Sequence, residues 1–337
     1  MTFLALCLSG GSLSASVWSA SGLVASAAVA CEDTPRAWWD ACESAVAALD
    51  ADLVAVEALG CAADAETFVL LSREGEPLSV VPPTGAAVPA DHAATGVVPD
   101  ETSLPARLAS CDLSRAGWVA NARDFLASLL TGRLASDPTV ASATGFFTTG
   151  GELHAAAAHG AGVDPAWLPA QRGSTEVLGD LLLPAARRLG LRSRIPVVTG
   201  ATVQACAVEG AGALPVAPLL TWGSPPLLSV PVTPPAAVVP GVALRAGGRS
   251  YQVHETRDLA LLPVLAPDAK WVYAGGSAPL PRSLAADLGV PVVHRRSVAL
   301  HAPLGLALLV ATGAGEHLDR DALNPVTHVD DPFAALR

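Results

Sequence analysis

Apolar and polar positions alternate in short runs at the start of the chain. Residues 4–8, 13–18 and 23–28 are apolar or small, with Gly and Ser between them. This predicts three strands joined by tight turns. Thr34 followed by Pro35 is a helix cap and a favoured first helical position. Trp38, Ala41, Ala45 and Leu49 then recur on one helical face. A strand over 53–59 follows, then a hairpin of 68–71 with 78–81 around Glu74 and Gly75, and the strands at Leu53 and Phe68 are expected to join the first three in one sheet. Residues 82–108 are rich in Pro, Ala and Thr without a period, which predicts surface loop. The pattern predicts a helix over 116–131 stopped by Gly132. A second, over 176–189, is aligned on Leu178, Leu182, Ala185 and Leu189 and stopped by Gly190.

An apolar strand over 195–199 then runs into Gly200 and a short helix rich in Ala and Gly. In an α/β protein a side chain at such a strand-to-helix turn faces the ligand crevice. Here the turn offers Ala201, Thr202, Val203 and Gln204. None of them takes up a proton at neutral pH. After Gly212 the texture changes to proline-rich short strands, so domains of 1–212 and 213–337 are expected. The tail predicts a strand over 271–274, a helix ending at Gly289, a strand over 291–294 and a helix over 303–312.

Composition narrows the picture. The 337 residues are 51% hydrophobic and 15% charged, which excludes a mainly disordered chain and allows two cores. Lys plus Arg is 20 against Asp plus Glu 31, a net charge of -11. That field repels phosphate backbones, so nucleic acid and membrane are not expected partners. The apolar N-terminus ends in a lipoprotein-like AVAC at residues 28–31. Its first basic residue is Arg36, and Gly10 and Gly11 interrupt it. It therefore reads as strand, turn and strand, and the protein as cytoplasmic. The six cysteines form no CxxC pair, so buried reduced thiols are expected. His154 and His159 fall on different helical faces, and no metal-ligand set is evident.

Several segments, in this order, resemble the FGGY family of carbohydrate kinases, xylulokinase-like members above all. RDFLASLLTGRLASDPTVASATGFF at 123–147 resembles the family's Asp-Tyr-Leu, Leu-Thr-Gly and Asp-x-Ser-x-Ala-Ser-x-Thr run. GVDPAWLPAQRGSTEVLGDL, AARRLGLRSRIPVVTG, GGSAPLPRSLAADLGVPVV and PLGLALLVATGAG resemble later family segments. The resemblance implies an α/β protein of two ribonuclease-H-like domains, of the actin and sugar-kinase ATPase type, with a cleft between them. The second domain is truncated, because few residues separate Arg257 from Lys270 where the family inserts a helical region.

Phosphoryl transfer to a hydroxyl needs positioned phosphates, a metal, and a base for the hydroxyl proton. By resemblance, Cys7 occupies the position of the family's first Asp, and Val203 that of its catalytic base. The resemblance assigns degenerate nucleotide-binding positions to Gly10, Gly11, Ser12, Gly223, Ser224, Gly275, Gly276 and Ser277. Pro225 removes an amide from the second phosphate turn. Asp64, Glu66 and Asp137 fall where the family binds substrate. A solvated strand end is the stronger reading of Asp64 and Glu66, and a helix cap or turn is an equal reading of Asp137. Two functions follow. One is a pseudokinase acting by binding a metabolite or a protein partner. The other is an active kinase that uses Mg-ATP and recruits Asp64 or Glu66 as its base. The expected partners are a sugar or polyol and a second copy or another protein. No metal site and no other cofactor is expected.

Overall fold

The computed structural model describes residues 1–86, 88, 91–212, 218–222, 227–232, 242–246, 249–255, 269–276, 284–296 and 300–330. β1 (Thr2–Ser9), β2 (Ser12–Ser19) and β3 (Gly22–Ala30) form the expected meander. Ser9 lies opposite Ser12, so Gly10 and Gly11 form a two-residue turn. Their φ values of 56° and 73° are those a tight hairpin requires and glycine accepts without strain.

β4 (Val56–Ala63) runs parallel to β1, after a single 3-10 turn at Leu53–Ala55 where the sequence predicted strand. β9 (Pro196–Thr202) runs parallel to β4, and β8 (Val177–Asp180) antiparallel to β9. The sheet order is β3-β2-β1-β4-β9-β8. One face is covered by helices Pro35–Ala47, Ala122–Thr131 and Leu183–Leu189. Thr34 caps the first of these as expected, its side chain accepting from the Ala37 N–H. The other face packs against helices Val203–Ala211 and His301–Gly313. These two helices touch through glycine. A Cβ on Gly210 would overlap the His301 carbonyl oxygen, and one on Gly305 the Cys206 carbonyl oxygen.

Several expectations need correction. The strand at Phe68 does not join the first sheet. β5 (Phe68–Leu71) sits between β6 (Pro77–Val80) and β7 (Trp118–Asn121) in a separate three-stranded sheet. The helix expected over 116–131 is β7 followed by helix Ala122–Thr131, because Asn121 and Asp124 form a capping box that starts the helix late. The helix expected over 176–189 is β8 followed by helix Leu183–Leu189, whose first turn holds Pro184. Residues 82–108 contain helices His92–Thr95 and Leu104–Leu108. The second is buried because Leu104 and Leu108 pack into a core with Phe68, Leu70 and Val119, and Arg107 donates to the carbonyls of Pro82 and Val81.

The second sheet has the order β12-β13-β11-β10-β14-β15-β16. Its strands are β10 (Leu219–Trp222), β11 (Leu227–Val232), β12 (Val242–Ala246), β13 (Arg249–Glu255), β14 (Val272–Gly276), β15 (Val292–Arg295) and β16 (Val326–Asp330). Helix Leu284–Leu288, ended by Gly289 at φ 69°, packs against β10, β14 and β15. Helix His301–Gly313 returns from this part of the chain to the first sheet. No helix among the described residues is long and apolar enough to cross a membrane.

Candidate functional site

Parallel pairing brings three strand ends into one row. Leu8 lies opposite Ala63 on β4, and Ala63 opposite Thr202 on β9. The residues that follow them are Ser9, Asp64 and Val203, side by side at the carboxyl edge of the sheet. This is where open α/β sheets bind ligands.

Cys7 sits one residue inside that edge. It belongs to an apolar cluster with Phe3, Ala62, Ala201, Cys206 and Leu306, and is 5% exposed. Burial first, then nearby Cys61 and Asp64, pushes its thiol well above the usual range. It stays protonated and is a poor ligand for a hard cation. Val203 opens the helix after β9, with Thr202 as cap; the Thr202 hydroxyl accepts from the Ala205 N–H. Where the resemblance puts two acids, the edge carries a buried thiol and a valine.

Asp64 is engaged rather than a solvated strand end. Its Oδ1 accepts from the Ser9 hydroxyl at 2.8 Å, and its Oδ2 accepts from the Gly10 N–H at 2.9 Å. Burial raises its pKa, and these two bonds pull the other way. Beside it lies a pocket of about 250 Å³ lined also by Gly11, Glu32, Asp33 and Thr67. Glu66 is exposed, and its charge acts on Arg107. The Ser12 hydroxyl donates to the Val29 carbonyl at 3.2 Å, toward β3.

Asp137 is fully buried and caps helix Pro138–Ala143. Its oxygens accept from the Val140 and Thr139 N–H groups, both at 3.2 Å, and from the Thr139 hydroxyl at 3.0 Å. The Ser174 hydroxyl donates at 2.7 Å, and Arg123 lies at 3.3 Å. Arg123, also fully buried, donates to the Thr199 carbonyl at 2.6 Å and pairs with Asp124. Burial pushes Asp124 up to about 6, against the pull of Arg123. The Thr202 N–H donates to the Thr139 hydroxyl at 2.9 Å. One internal network therefore fixes β9 just before Val203. Sequence reasoning passed over Arg123; the Asn-x-x-Asp cap at 121–124 was the available signal.

In the second sheet Thr221 pairs with Gly275 and Trp222 with Gly276, so these glycines end β14 beside the end of β10. Gly223, Ser224, Pro225 and Ser277 lie outside the described residues, as does most of the stretch between Arg257 and Lys270. Gln204 joins the two sheets. Its Nε2 donates to the Thr221 hydroxyl at 3.1 Å and the Ser229 hydroxyl at 2.7 Å. Among the described residues no group of three or more His, Cys, Asp or Glu side chains is placed to hold a metal ion.

Two mixed sheets, with helices packed on the first and Gln204 bonded across to the second, give the fold seen in solved sugar kinases. Within that fold, residues 112–210 match the N-terminal domain of the FGGY family of carbohydrate kinases. No curated protein matches the chain. A xylulose kinase from Rhodospirillum rubrum superposes with a TM-score of 0.86 at 17% identity, covering 99% of this chain and 95% of that one. A xyloylose kinase from Brucella ovis gives 0.83 at 16%, covering 100% and 96%. A gluconate kinase from Lactobacillus acidophilus gives 0.82 at 13%, covering 98% and 93%. At these identities the likeness is one of fold.

Proposed function

We propose that this chain is a cytoplasmic FGGY-kinase homologue that binds a sugar, a polyol or a protein partner without transferring phosphate. One observation carries the reading: the carboxyl edge of β1, β4 and β9 holds no free carboxylate. Cys7 is a buried thiol, Val203 has no proton chemistry, and Asp64 is hydrogen-bonded to Ser9 and Gly10. Mg-ATP fits this edge poorly. The Gly10 amide, which a phosphate oxygen would need, already serves a carboxylate. Fold likeness to active kinases does not alter this, because function rests on the site.

The test is turnover by the unmodified protein on a panel of pentuloses, hexoses, gluconate and glycerol with Mg-ATP. The expected result is no sugar phosphorylation above background. A missing general base alone forfeits roughly 10²–10⁴ in rate. ADP release at ordinary kinase rates that depends on an added sugar would sink the reading. The alternative, with Asp64 as the base, is favoured by that residue's place between the strands of Cys7 and Val203. Loss of such turnover in Asp64→Asn would then identify it.

A further inference from the structure

We infer that Asp64 is a built-in anion that closes the Gly10–Gly11 turn to phosphate. The inference rests on the silent-kinase reading above and names its mechanism at this turn. A two-glycine turn at a strand end exposes backbone amides of the kind that cradle anions. Here the Gly10 N–H donates to Asp64 Oδ2 at 2.9 Å, and the adjacent Ser9 hydroxyl donates to Oδ1 at 2.8 Å. An amide and a hydroxyl gripping the two oxygens of a carboxylate use the donors that a phosphate would recruit.

Strand register holds this plug in place. Leu8 pairs with Ala63, and the Asp64 N–H donates to the Leu8 carbonyl at 3.1 Å. The carboxylate is thus delivered by the parallel β1–β4 pair and not by a separate loop. The surroundings oppose a second anion as well. Glu32 and Asp33 line the same pocket, and none of its described lining residues is cationic. The Trp38 indole N–H is turned to Asp33 at 3.2 Å and is unavailable to a ligand oxygen. A phosphate entering here would displace Asp64 from its donors and leave two like charges together, which disfavours binding strongly.

Inorganic phosphate and pyrophosphate are the probes, read by melting temperature and titration calorimetry near neutral pH. The unmodified chain is expected to gain no stability from either. Asp64→Ala frees both donors and is expected to bind at least about tenfold more tightly. Asp33→Asn removes a charge from the pocket but frees no donor at the turn, and is expected to gain much less. Equal phosphate binding by the unmodified chain and Asp64→Ala would overturn the inference, as would an equal gain in Asp33→Asn. If Asp64→Ala does not fold, the Gly10 amide proton of the unmodified chain is followed by NMR through an acid titration. It is expected to move as Asp64 ionises, with a midpoint above the ordinary aspartate range. A Gly10 signal that follows no carboxylate would also overturn the inference. None of these measurements involves turnover, so failure here is separable from failure of the kinase reading.

Discussion

Asp137 and Asp64 are two carboxylates with opposite surroundings. Asp137 is fully buried, lies beside Arg123, and accepts from two amides and two hydroxyls. Asp64 is half-buried, with Glu32 and Asp33 for neighbours and no cation lining its pocket. The first arrangement neutralises a charge so that three segments can be fastened together. The second leaves a net negative edge where the Ser9 hydroxyl and the Gly10 amide already serve a carboxylate. The fold thus keeps a charge-paired polar network where it supports β9, and a valine with no polar group to join one where β9 ends. Scaffold and chemistry have separated within a few residues of each other.

The largest expected effect lies in the interior. Arg123→Ala leaves Asp124 and Asp137 buried without their cation, which costs about 3–5 kcal/mol. Asp64→Asn keeps a polar side chain at a half-exposed position and costs less than about 1.5 kcal/mol. Chemical denaturation of both variants checks the contrast. Similar losses would show that the edge carries as much structural weight as the network, and the comparison would fail.

A smaller effect comes from placing an acid where the edge lacks one. Cys7 is packed among Phe3, Ala62 and Cys206. Cys7→Asp therefore destabilises by roughly 1–3 kcal/mol, with the new carboxyl held protonated. The double variant Cys7→Asp with Val203→Asp is expected to remain without phosphotransfer, since the Gly10 amide stays occupied. Sugar-dependent ADP release by that variant would show that the two acids alone were missing.

Much of this was legible before the fold was known. The meander followed from period-2 patterning and the Gly10–Gly11 turn, and the first helix from Thr34 and Pro35. β7 was not, because Trp118, Val119 and Ala120 form an apolar run that reads equally as helix. Only the Asn121 and Asp124 cap separates them. Cys7 and Val203 could be placed through the resemblance. The link between Asp64 and Gly10 could not, because it spans 54 residues and depends on β1–β4 register. The same holds for Gln204, whose partners sit on two strands of the other sheet.

The smallest effect is a pH signature that distinguishes the network from the helix pair beside it. Asp124 has a folded pKa of about 6, raised by burial above the usual value near 3.9. Between roughly pH 4 and 6 the folded state therefore binds more protons at Asp124 than the unfolded state, and this group makes stability fall as pH rises. His301, buried at the start of helix His301–Gly313, has its pKa lowered to about 4, by burial first and by Arg295 second. Between about pH 4 and 6.5 the unfolded state binds more protons there, so this group makes stability rise with pH. Each slope is at most about 1.4 kcal/mol per pH unit, and over their shared window the two oppose. The unmodified protein should then have a shallow stability profile between pH 4 and 6. Asp124→Asn is expected to steepen the loss on acidification by leaving His301 uncompensated. His301→Gln is expected to reverse it, giving a protein more stable near pH 4 than near pH 6. Thermal melts of the three proteins across this range provide the check. Parallel profiles would show that Asp124 is ionised in the fold throughout, with Arg123 outweighing burial, and the interior network would then be an ordinary charged cluster.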